Sequence, residues 1–354
     1  MGKVKAFLKK KDIEISGKRY GIDALGAMAQ GLFCSLLIGT IFKTIGMIPA
    51  LAFFTDIGGY AMAMSGPAMA VAIGYALKAP AMVLFSLATV GYAANTLGGA
   101  GGPLAVLFIA IIAAEFGKAV SKETKIDLLV TPTVTILIGV GLAALIAAPI
   151  GKAAMWVGDI IMWATNQQPL LMGIVVSVVV GIALTLPISS AAICAALSLT
   201  GLAGGAAVAG CCAQMVGFAV MSFKENKVGG LISQGLGTSM LQMANIVKNP
   251  KIWIAPTLAS AITGPIATCV FHLEMNGAAI NSGMGTCGLC GPIGVITGWF
   301  NPSVEGVAAI TPTTFDWVGL VLIAIVLPAI LTFIFGQIER KIGWIKENDL
   351  KLGE

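Results

Sequence analysis

Residues 252–292 read IWIAPTLASAITGPIATCVF followed by HLEMNGAAINSGMGTCGLCGP. The first twenty residues, 252–271, carry no charged side chain, and about 20 apolar residues are what a helix needs to cross a bilayer. The next residue, His272, is the only histidine of the chain, and Glu274 follows two positions later. Then come two asparagines, a run of glycines, Ser282 and two cysteines, closed by Pro292. Irregular backbone of this kind is tolerated at membrane depth only where protein or a water-filled cavity surrounds it. The stretch therefore predicts a spanning helix that gives way to a re-entrant element. His272 and Glu274 would not share a helix face, but a break at Asn276-Gly277 lets both face one cavity. Two readings stay open: a ligand site in which the carboxylate accepts hydroxyl hydrogen bonds, or an interfacial helix end with both side chains in headgroup water.

The composition extends the membrane reading to the whole chain. Of 354 residues, 57% are hydrophobic and 10% charged, with mean hydropathy +0.95. Soluble domains carry about 25% charged residues, so the fold class expected is an all-α integral membrane protein. The 45 glycines suit close helix packing and, where they cluster, broken helices. The net charge of +5 comes from basic residues at the ends of apolar segments, a pattern of topology and not of nucleic-acid binding. Cys34, Cys194, Cys211, Cys212 and Cys269 lie in apolar sequence and read as small packing residues. The pair Cys287 and Cys290 lacks two further ligands for zinc. No phosphate loop, dinucleotide fingerprint or nucleophile elbow occurs, so no metal, cofactor or catalytic residue is expected.

Ten apolar segments follow in order: 22–42, 57–77, 80–97, 103–120, 127–149, 169–188, 190–204, 205–222, 253–272 and 317–337. Between them, 44–56, 95–103, 151–166, 229–250 and 277–315 are neither clean spans nor ordinary loops. Basic clusters orient the chain. They are Lys3 to Arg19, then Lys118, Lys122 and Lys125, then Lys224, Lys227, Lys248 and Lys251, and last Arg340, Lys341 and Lys346. All four are read as cytoplasmic, which leaves Lys43 and Lys152 outside. Residues 1–21 form a basic lead-in on the membrane surface without a cleavable signal pattern, 22–338 the membrane domain, and 339–354 a cytoplasmic tail. A faint repeat relates SGPAMAVAIG at 65–74 to TGPIATCVF at 263–271, each followed by an asparagine and a glycine tract. Interrupted segments at corresponding places mark substrate sites in transporters.

Polar groups inside a membrane need a reason. Glu305 and Asp316 stand in WFNPSVEGVAAITPTTFDW, 299–317, among small and apolar residues. The stretch is an outer loop, or it brings Glu305 back into the site. Ser189 and Ser190 follow a proline and either meet a polar ligand or bond their own helix. Asn95 and Thr96 precede a glycine tract and suit the tip of a second broken element. Glu115 precedes an inside loop and is expected to snorkel.

With these elements placed, the chain resembles the membrane component, enzyme IIC, of the bacterial sugar phosphotransferase system, in a short stand-alone branch that includes toxin-regulator homologues. The likeness rests on the basic lead-in, on TLPISSAAICAALSLTGLAGGAAVAG (185–210), on MVGFAVMSFKENKVGGLISQGLGTSMLQMANIVKNPKIWIAP (215–256) and on the His272–Pro292 run. It implies a homodimer in the bacterial cell (inner) membrane, with both termini cytoplasmic. Each protomer would have a fixed scaffold, a mobile elevator-type transport domain and re-entrant hairpins. It implies that His272 and Glu305 hold sugar hydroxyls, with Glu274 as rival and Asn281, Ser282 and Asn95 as further candidates. NPSVEG stands where the glucose-type signature would be. Partners implied are a sugar or other small polar substrate, membrane lipid and a separate IIB phosphocarrier. The alternatives are a transporter of the same fold that works without phosphorylation, and a membrane sensor or regulator.

Overall fold

The computed structural model describes residues 2–46 and 49–353. Among these the chain is 80% helical and has no strand. Six helices are long and apolar enough to cross a membrane, or seven when Phe53–Ala63 and Ser65–Ala76, bent by 48°, count as one. The chain is thus an all-α, multi-pass membrane protein. It folds as two compact units, residues 1–39 with 56–153 and residues 40–55 with 154–354. Within the 44–56 segment, Met47 and Ile48 lie outside the described residues.

Several segments differ from the expectation. Asn95 and Thr96 are not at the tip of a broken element; they lie in the last turn of the Ala81–Gly98 helix. The break is the three-residue turn Gly99–Gly101, after which Gly102–Val120 resumes. A Cβ on Gly98 would lie 3.1 Å from that of Ala105, seven residues on. Residues seven apart in a straight helix are about 10 Å apart, so the chain reverses here into a hairpin. Gly99 makes the turn at φ +51°, a conformation that costs glycine nothing.

The 151–166 segment is no interruption, because helix continues from Asp127 to Thr165. Pro149 would crowd the carbonyl of Leu145 in a regular helix. A π turn at Ala143–Ala147 surrounds that carbonyl, and the helix passes the proline intact. Pro328 repeats the device: the π turn Leu322–Val326 holds the carbonyl of Ala324, and helix runs on to Ile342.

The expected 190–204 span is a helix of only seven residues, Ser190–Ala196. That is about 10 Å, a third of the hydrocarbon thickness. Ser189 caps it by accepting from the Ala192 N–H. Ser198 and Gly201 then turn the chain at φ +50° and +61°.

The second unit is centred on Gly201–Met221, the most deeply buried of the long helices. It packs against Pro169–Thr185 and Ile254–Pro265, with Gly210 against the Ser177 carbonyl, and those two helices meet each other where Gly264 lies against the Gly173 carbonyl. At its middle, Gln214 is 0% exposed and accepts from Trp253 Nε1 at 2.9 Å.

Charges collect at the helix ends. In the first unit, Lys10 and Lys11 pair with Glu123. Arg19 grips Asp12 through both terminal nitrogens and donates to the Leu77 carbonyl at 2.8 Å. Lys118, its side chain 2% exposed, donates to the carbonyls of Asp12 and Leu77 and pairs with Glu115 at 3.0 Å. Glu115 therefore does not snorkel; it is half of an ion pair, its side chain 13% exposed, and also accepts from Tyr20. In the second unit, Arg340 pairs with Glu225 at 2.8 Å. The segment after it is docked, with Leu350 0% exposed. Asn226 and Gln242 donate to the Leu350 carbonyl, and Asn245 to that of Lys351. Thus the first two basic clusters meet at one end of the first unit, and the last two at one end of the second.

Candidate functional site

The helix that begins at Ile254 ends in a π turn, Ile266–Val270. Its close uses the Leu273 N–H, which returns to the Ala267 carbonyl at 2.8 Å. The residue between the helix end and Leu273 must then be left-handed, a place glycine normally takes. Here it is His272, at φ +45°. A non-glycine residue held there stores strain, and such strain concentrates at functional sites.

After His272 the chain is extended. Met275 exchanges both backbone hydrogen bonds with Gly201, at 3.0 and 2.9 Å, the one β-bridge among the described residues. The contact requires glycine beneath it: a Cβ on Gly205 would lie 1.7 Å from the Leu273 carbonyl oxygen. Extended backbone alternates its side chains. Leu273 and Met275 are buried against the Gly201–Met221 helix, whereas His272 and Glu274 are exposed. The two polar residues are thus both left exposed, two positions apart, while Leu273 and Met275 between and beside them are buried.

Asn276 links this stretch to the next candidate. Its side chain donates to Glu274 Oε2 at 2.8 Å, and its carbonyl accepts from the Ser303 N–H at 2.8 Å. Ser303 opens the loop that carries Glu305, which is exposed. The loop is pinned again where the Ile310 N–H reaches the Trp299 carbonyl. Asp316 is occupied elsewhere, since its carboxylate closes a capping box with Thr313.

The other candidates are structural in their contacts. Ser282 is 0% exposed and donates to the Leu199 carbonyl at 2.6 Å. Asn281 is partly exposed, with its Cβ against Gly294. Ser190 donates to the Gly283 carbonyl at 2.7 Å and so ties the short helix to the glycine tract. Asn95 belongs to the first unit, where it donates to Ser65 at 3.4 Å. Sequence reading passed over Gln214, though an amide inside GAAVAGCCAQMVGFAVM is a signal of its own kind.

The model of the family described as "Phosphotransferase system, EIIC" matches residues 22–352. The chain belongs to that family. No curated protein and no solved structure matches it. At the family level this EIIC is a membrane component of sugar phosphotransferase transport, with a sugar as substrate and a IIB protein as partner. The family match spans both units and includes the His272–Asn276 stretch and the Glu305 loop. Among the described residues, no cluster of three His, Cys, Asp or Glu side chains suited to a metal occurs.

Proposed function

We propose that this EIIC translocates a sugar whose hydroxyls are held by His272, Glu274 and Glu305, and that a separate IIB protein phosphorylates it at the inner face. The observation that carries the reading is the exposed His272–Glu274 pair, coupled through Asn276 to the Glu305 loop. Glu274 keeps one carboxylate oxygen free of protein hydrogen bonds, and carboxylates paired with hydroxyls suit sugar recognition. Ser282 and Ser190 hold the glycine tract that follows this stretch.

The division into two compact units suits an elevator with a fixed scaffold and a mobile transport domain; a homodimer in the bacterial cell membrane is proposed from the family alone. Ten apolar segments remain our reading, of which the seventh, Ser190–Ala196, is too short to cross. The pairing of basic clusters at one end of each unit supports cytoplasmic termini, with 1–21 as the lead-in and 339–354 as an inner segment docked on the membrane domain.

The test is binding of a sugar panel to the purified protein, followed by Glu274→Gln and Glu305→Gln against the sugar that binds. Hydrogen bonds to a charged group contribute about 1.5–3 kcal/mol, so each variant should weaken binding roughly tenfold to a hundredfold without changing the thermal midpoint. Parent-like affinity in both variants would place the site elsewhere and return this stretch to the interface.

A further inference from the structure

A cleft of about 420 Å³ opens where the Gly201–Met221 helix ends. Its apolar wall includes Met221, Phe223 and Phe333, and its polar wall Lys224, Lys227 and Arg340. No carboxylate lines it. The three cations are not equivalent. Arg340 is consumed by Glu225, at 2.8 and 3.1 Å, and by the Met221 carbonyl. It fixes the Thr314–Ile342 helix to the end of the Gly201–Met221 helix and to Glu225 just after it, and so builds the cleft. Lys224 has only a loose, exposed contact with Glu347 at 3.6 Å. Lys227 has no side-chain partner among the described residues, and its backbone sits at φ +53°, ψ −149° inside the Phe223–Ile232 helix. A lysine held in that region is costly, and its persistence needs a cause.

The surroundings point to lipid. Phe333 is exposed on a helix that is itself mostly exposed, as a lipid-facing span would be. Phe223, Val228 and Ile232 are exposed beside the two lysines, so apolar and cationic groups meet here as they do at a headgroup boundary. We infer that this cleft binds an anionic phospholipid of the inner leaflet, with the phosphate at Lys224 and Lys227 and an acyl chain along Phe333. Basic pockets between spans on the cytoplasmic side recognise such headgroups. The leaflet rests on the topology proposed above; the headgroup charge does not.

Native mass spectrometry of the full-length protein with phosphatidylglycerol, phosphatidylcholine or inorganic phosphate tests the assignment. Phosphatidylglycerol should be retained in preference to phosphatidylcholine, and Lys224→Gln and Lys227→Gln should each weaken retention about fivefold. Lys227→Gly should lose the same lipid affinity while raising the lipid-free thermal midpoint, because glycine accepts the backbone conformation; that separates a lost site from a lost fold. Equal retention of both lipids, or a double glutamine variant that retains phosphatidylglycerol like the parent, overturns the inference. So does complete displacement of the lipid by inorganic phosphate at matched concentration, which would make this a free-phosphate site. Lys227→Cys, in a background with Cys34 and Cys269 replaced, tests the leaflet separately. Labelling by an impermeant reagent from outside would sink the topology while leaving the lipid result standing.

Discussion

The Arg19–Lys118 cluster of the first unit and the His272–Glu305 region of the second both place charge in an apolar chain, and they treat it oppositely. In the cluster the cations are buried and nearly every charge is answered: Arg19 by Asp12, Lys118 by Glu115 and two carbonyls. In the second region His272, Glu274 and Glu305 are exposed, and the main partner among them is one amide, Asn276. The backbone does not separate them, since Asp12 in the cluster sits at φ +51° and His272 at +45°; what differs is whether each charge has a partner. Charge that the fold has consumed serves stability, and charge left open does not.

The sharpest way to break that contrast is Lys118→Ala. Removing one partner of a buried ion pair costs about 3–5 kcal/mol, so this variant should aggregate or lose most of its thermal stability, read by size-exclusion profile and unfolding midpoint. A parent-like midpoint would mean that the cluster is not structural. His272→Gly should act in the opposite direction, relieving about 1–2 kcal/mol of left-handed strain and raising the midpoint while sugar binding falls. A lowered midpoint would remove the strain argument. The smallest effect concerns pH. Hydrogen bonding from Arg19 holds the Asp12 carboxyl below its usual value, so its contribution is fully present above about pH 4 and fades as pH falls through the lower folded value. The midpoint of Asp12→Asn should therefore trail the parent at neutral pH and converge with it in acid. A gap that widens in acid would refute the sign. Asp12 is half exposed, which keeps this effect small.

The sequence by itself determined the all-α membrane class and the break that follows the 253–272 segment. These follow from local quantities: the length of apolar runs, the absence of charge, and glycine density. It also marked His272, Glu274 and Glu305, because ionisable residues in such a chain are few. Local signals misjudged three segments. Pro149 looked like an end, but a π turn absorbs it. Residues 190–204 looked like a span, but Ser198 and Gly201 turn the chain. Asn95 looked like a tip, but the reversal needs only Gly99–Gly101.

Only the tertiary structure decided which polar residues are left open. Helical periodicity put His272 and Glu274 on different faces. The bridge between Met275 and Gly201, some seventy positions apart, made the stretch after His272 extended, and both side chains stay exposed. That bridge exists because Gly205 admits the Leu273 carbonyl. The fate of each charge was settled the same way: Glu115 and Glu274 are alike in sequence, and a lysine three residues along its own helix, held by distant carbonyls, paired the first while an extended stretch exposed the second. Long-range contacts carry no local signature, since the energy that fixes them lies in surfaces that meet only after the chain has folded.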